Sequence, residues 1–178
     1  MAAEALSYFK KFCAENGGWD EVIYYNLEDR ITLELDGKKK TITNLVLADG
    51  AKAHRIVPDM ESIGLGDNSN RSRENNSKMV TQSGVIIFKD DDDDTVELIE
   101  EFSIGFWGVI GKKSRADGTS VWRHFGVQNG MTMETSEGAL AQLYEDLRGH
   151  TLNLVGKELT KAPSIADGLV QSLLIPNS

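Results

Sequence analysis

The sequence predicts an α+β fold: an antiparallel β-sandwich or barrel-like sheet with an N-terminal helix and one or two C-terminal helices. Three observations carry that expectation. Apolar, β-branched and aromatic runs crowd residues 79–130, the composition of a pleated, half-buried surface. Asp-Gly pairs recur at Asp36-Gly37, Asp49-Gly50 and Asp117-Gly118, and both residue types tolerate the positive φ of a hairpin turn. Apolar residues at helical spacing gather toward the two ends of the chain.

Residues 2–16 predict the opening helix. Leu6, Phe9, Phe12 and Cys13 share one face, Glu4, Lys10, Lys11 and Glu15 lie elsewhere, and Gly17-Gly18 supplies a stop. Cys13 on that face reads as buried packing. Ile31, Leu33 and Leu35 then alternate with Thr32 and Glu34, the period-two pattern of a strand with one wet face. Leu45, Val46 and Leu47 continue the theme. The step from Ile42 to Leu45 breaks parity and predicts a bulge near Asn44. A hairpin-connected antiparallel meander is the simplest arrangement.

Residues 58–78 change character. They are rich in Asn, Ser, Gly and Asp, and carry Arg71 and Arg73. A long polar loop is expected here, or an arm that orders on a neighbouring subunit with both arginines against an acidic surface. Val85-Ile86-Ile87-Phe88 reads as a strand buried on both faces. The five aspartates Asp90 to Asp94 read as a solvated connection before the apolar pattern resumes at Val96, Leu98 and Ile99. That run has alternating carboxylates but lacks the glycine and distal glutamate of calcium loops. Residues 136–147 predict a helix capped by Thr135 or Ser136, with Ala139, Leu140, Leu143, Tyr144 and Leu147 on its apolar face. A closing strand follows at Thr151 to Val155. Residues 159–178 form an apolar tail with Ile165, Leu169, Val170 and Leu173 on a helical stripe, Ser164 as cap and Pro163 at the entry. Such a tail docks on its own domain or on a neighbour.

The order strand, acidic turn, strand and Trp107-Gly108-x-x-Gly111 resembles the WGR domain of DNA-damage polymerases, which would imply nucleic-acid binding. The arginine that this family places after Trp-Gly is Val109 here, and the spacing to the next predicted helix is longer. One short motif carries the resemblance, so Trp107 and Trp122 are read as core or interface aromatics.

A chain of 178 residues fits a single domain, 1–178. Its net charge of −9, from 19 basic and 28 acidic residues, opposes affinity for nucleic acid or anionic membrane, although local basic patches stay open. One cysteine excludes an intrachain disulfide and a cysteine-based zinc site. No uninterrupted apolar run matches a membrane helix, and no secretory signal is recognised. The expected setting is cytoplasmic or within a virion or other assembly. His54, His124 and His150 fall on separate elements without metal-ligand spacing, and neither a nucleophile elbow nor a phosphate loop is present. No catalytic residue, cofactor or metal site is therefore expected. The leading expectation is a non-enzymatic structural or assembly protein, a homo-oligomer or a subunit among others, such as a phage tail, neck or capsid component. Arg71, Arg73, Trp107, Trp122, Leu169 and Leu173 are its candidate interface residues. The alternative is a small-molecule or cation-binding β-rich module with Trp107, Trp122 and Phe125 lining a pocket in the sheet.

Overall fold

The computed structural model describes residues 19–38, 40–56, 63–72, 77–88, 93–114, 118–139 and 149–175. The helix expected over residues 2–16, with Cys13, lies outside them. The described chain is mostly strand: β1 (Glu21–Asn26), β2 (Arg30–Leu35), β3 (Thr41–Leu47), β4 (His54–Ile56), β5 (Ile63–Ser72), β6 (Ser77–Phe88), β7 (Trp107–Ser114), β8 (Ser120–Phe125), β9 (Thr132–Ala139), β10 (Gly149–Glu158) and β11 (Ser164–Ile165). Two helices accompany them, α1 (Asp93–Ser103) and α2 (Asp167–Leu173).

Seven strands form one sheet in the order β2-β3-β11-β8-β7-β1-β4, and four form a second in the order β5-β6-β10-β9. The first sheet is covered on both faces. Its β1, sequence EVIYYN, is buried along both sides, as a central strand without a wet face must be. Val22, Tyr24, Trp107, Val109 and Phe125 point toward the second sheet. There they pack with Ile63, Ile86, Leu152 and Leu154, and with Phe102 and Leu98 of α1. Ile23, Tyr25, Ile110 and Trp122 point the other way, packing with Ile42, Leu45, Leu47 and with Val170 and Leu173 of α2. The order is thus second sheet and α1, seven-stranded sheet, α2. The β-rich α+β class holds, while the simple meander does not: β1 lies between β7 and β4, and β11 runs parallel to β3.

Several local expectations meet their structural counterparts. Glu34 pairs with Asn44 but Leu35 pairs with Ile42, so Thr43 is an extra residue and the bulge sits beside Asn44. Gly50 and Gly118 take φ of 81° in the second and third Asp-Gly turns. At the first, Asp36 works through its carboxylate instead. It accepts from the backbone N–H groups of Lys40 at 2.6 Å and Thr41 at 3.0 Å, which holds its carboxyl below the usual range.

Three segments differ from expectation. Residues 63–72 are strand rather than loop, zipped to β6 from Ile63↔Ile86 to Ser72↔Ser77. Beyond Ile63 and Leu65, which pack on the core, backbone pairing rather than apolar side chains holds this hairpin, so the polar composition concealed it. Asp93 and Asp94 open α1 rather than a strand connection. Carboxylates suit a helix N-terminus, and Leu98 and Phe102, one helical turn apart, dock on the core. The start of the helix expected over 136–147 is strand: Ser136, Glu137 and Gly138 pair with Leu152, Thr151 and His150. The rest of that helix, residues 140–147, lies outside the described residues. Cross-strand pairing overrode local propensity there.

The tail docks on its own domain. Ser164–Ile165 is β11, wedged between β3 and β8, and only then does the chain turn helical, with Ala166 at the N-cap and no side-chain cap bond. Ser164 and Ile165 are therefore ladder residues, not helix cap and stripe.

Candidate functional site

Of the six side chains expected at an interface, Trp122, Leu169 and Leu173 share the α2-side cluster, while Trp107 lies on the opposite face of the sheet. Trp107, Trp122 and Leu173 are 3%, 2% and 4% exposed, so their side chains belong to the core of the described chain. Trp107 stacks with Tyr24 and Phe102 at ring-centroid distances of 5.6 and 5.0 Å. Trp122, on the opposite face of the sheet, donates its indole N–H to Asp167 Oδ1 at 2.7 Å. Because Trp107 and Phe125 face one way and Trp122 the other, these rings line no common pocket. Leu169 and Leu173 border a dimple of about 170 Å³ between α2 and β3. Arg71 stands near the hairpin end, paired through its backbone with Lys78, and Arg73 lies outside the described residues.

Nor do the histidines converge. His54 stacks on Tyr24, centroids 5.3 Å apart, while His124 faces the α2 side. There it is fully buried and shares a 2.8 Å hydrogen bond between its Nε2 and the Tyr25 hydroxyl. Burial, reinforced by the Arg30 charge, pushes the His124 pKa down to about 3. Burial raises Tyr25 to about 12 against the opposing pull of Arg30. Both are neutral at physiological pH. Gly108 makes room for this pair, since a Cβ there would fall 2.4 Å from the Tyr25 ring. The Arg30 guanidinium donates to the Val127 carbonyl. The pair is enclosed in the core, and the other ring nitrogen of His124, Nδ1, has no hydrogen-bond partner among the described residues. Among the described residues, no three His, Cys, Asp or Glu side chains are grouped to hold a metal ion, and no helix is long and apolar enough to cross a membrane.

The feature that stands out lies elsewhere. An open groove of about 590 Å³ is bordered by Lys38, Lys40 and Thr41 from the β2–β3 connection, Lys78 from β6 and Arg123 from β8. Thr160, Lys161, Ala162, Pro163 and Ser164 before and within β11 complete it. Five of the chain's nineteen basic side chains line this groove, and among the described residues no acidic one does. At its margin Lys161 pairs with Asp67 at 3.3 Å, and Arg123 donates to the Ala162 carbonyl at 2.9 Å. The backbone fixes these positions: Ser164 N–H donates to Lys40 O, and His124 N–H to Pro163 O, at 2.8 and 2.9 Å. Concentrated positive charge on a chain of net charge −9 attracts anionic groups, the more so inside a concave wall. Sequence reading left such a patch open without locating it, because its members are scattered from Lys38 to Lys161.

Comparisons with protein-family models, with curated proteins and with solved structures returned no match for this chain.

Proposed function

We propose that this protein is a non-enzymatic assembly subunit, working through contacts with copies of itself or with other subunits. The observation that supports this reading most is the β5–β6 hairpin. Its ladder continues through Asn70↔Met79, Arg71↔Lys78 and Ser72↔Ser77, whereas β10 accompanies β6 only as far as Val80. The hairpin therefore projects past its own sheet, and the outer edge of β5 carries no partner strand among the described residues. Projecting edges of this kind accept strands or loops from neighbours. Arg71 pairs through its backbone with Lys78 at that end, and in this reading the end meets an acidic partner surface. A virion subunit, which must offer contacts on several sides, is its most concrete version, and rests on analogy of architecture.

Light scattering coupled to gel filtration at micromolar concentration tests the proposal. A dimer or larger species is expected, and replacing Asn70 and Met79 by proline, which blunts the hairpin end, shifts it toward monomer. A strict monomer at every concentration, with the hairpin end free of any partner, overturns the reading.

A further inference from the structure

We infer that the basic groove receives the acidic face of α1 from a second copy of this chain. The inference rests on the assembly reading above and specifies one contact within it.

Both halves of the contact are on the molecule. Asp93, Asp94, Glu97 and Glu100 are exposed on α1. Asp93, Glu97 and Glu100 recur at the four- and three-residue steps that align side chains along one side of a helix. The opposite side carries Leu98 and Phe102 into the core, so the carboxylates face outward. The stripe from Asp93 to Glu100 spans about 10 Å at 1.5 Å per residue. Against it the groove offers Lys38, Lys40, Lys78 and Arg123, with Lys161 already shared with Asp67. Asp36 is turned inward to its own loop amides, so it competes weakly for the groove lysines. Thr160 lies beside them and brings a hydroxyl that can donate to a carboxylate oxygen, while the Thr41 and Ser164 hydroxyls pair with each other and Ser164 donates to the Lys40 carbonyl.

The two patches cannot meet within one chain. Lys78 stands at one end of β6, and α1 follows the other end at Phe88. That length of strand is about 33 Å at 3.3 Å per residue. The Debye length at physiological ionic strength is about 8 Å, so attraction between them inside one molecule is screened away. Between two molecules the same charges come into contact. Two copies lying antiparallel satisfy the pairing reciprocally, and copies in line extend it head to tail.

Neutralising variants test this. One carries Lys38→Gln, Lys40→Gln and Lys78→Gln; the other carries Asp93→Asn, Glu97→Gln and Glu100→Gln. All six side chains are exposed, so circular dichroism and melting of each variant are expected to match the wild type. The wild type assembles at low salt, and its apparent affinity falls about tenfold or more between about 50 mM and about 500 mM salt. Each variant alone is weakened at least as much. An equimolar mixture of the two forms a one-to-one heterodimer, because each supplies the half the other lacks. A wild type that stays monomeric at low salt overturns this pairing and the self-assembly reading together. Assembly that persists equally in both variants overturns the pairing alone. Salt-sensitive capture of a short oligonucleotide by a monomeric wild type, lost in the groove variant, also overturns it and gives the groove to an external polyanion.

Discussion

The two faces of the seven-stranded sheet are built on different principles. Toward the second sheet, the interior around α1 is a stack of rings, with Phe102 4.7 Å from Tyr24 and 5.0 Å from Trp107 between centroids. The buried Trp107 indole N–H has no partner among the described residues. Toward α2, apolar side chains of similar bulk are interleaved with directed contacts: Tyr25 to His124, Trp122 to Asp167, and Arg30 to Val127. The first face is stabilised mainly by volume and shape, with hydrogen bonds from Trp19 Nε1 to the Leu65 carbonyl and from Gly126 N–H to Gln82 Oε1 at its margins. The second adds hydrogen bonds that are satisfied in one register only, so it fixes how the strands align.

The comparison is tested first where the effect is largest. Phe102→Ala leaves a cavity in the ring stack and is expected to cost about 3–5 kcal/mol in urea unfolding. Phe102→Leu, which keeps most of the volume, costs clearly less. Equal losses in the two variants would contradict the account of that face. On the other face, Tyr25→Phe leaves volume intact but strips Nε2 of the buried His124 of its partner, for an expected loss of about 1–3 kcal/mol. Adding His124→Leu to that variant restores part of the loss, because no buried polar atom is then left unpaired. Additive losses would show that the pair is not coupled.

Acidity separates the faces further. As pH falls through about 6.5 the unfolded chain protonates His124, whereas the folded chain resists until about pH 3. The unfolded state therefore holds more protons in that window, and stability conferred by the neutral imidazole is lost progressively from about pH 6.5 down to 3. His124→Gln removes the titration, so its unfolding midpoint is expected to fall less steeply with acid than that of the wild type; parallel curves would refute this. The smallest effect belongs to the edge of the network. Asp167→Ala unpairs the Trp122 indole and is expected to cost about 1 kcal/mol, with Asp167→Asn close to neutral.

How much of this was legible in the sequence depends on the kind of signal. The strands at Val85 to Phe88 and Ile31 to Leu35 and the parity break beside Asn44 are local patterns and were readable, although only Ile86 of the first run is buried and Ile31 is 67% exposed. The strand over residues 63–72 was not, because an exposed hairpin needs no apolar residues. Val96, Leu98 and Ile99 fit a short strand as well as a helix, and the docking of Phe102 decided between them. Trp107 and Trp122 were readable as core or interface aromatics, and their burial puts them in the core. That they sit on opposite faces depends on the pairing of β7 with β8, which no composition discloses. The groove is the extreme case: Lys38, Lys40, Lys78, Arg123 and Lys161 are ordinary surface residues until the topology gathers them.

That topology contains a seam. Among the described residues, the β2–β3 hairpin pairs with the rest of its sheet through β11 alone, two residues that reach back across 123 positions from Ser164 to Thr41. So short a ladder is the natural place for the sheet to part in brief openings well below global unfolding. Lys38 and Lys40 lie on one side of that seam and Arg123 on the other, so an anionic occupant of the groove bridges it. Amide hydrogens along β3 should then exchange with solvent more slowly when the groove is filled, which turns the hairpin into a reporter of occupancy.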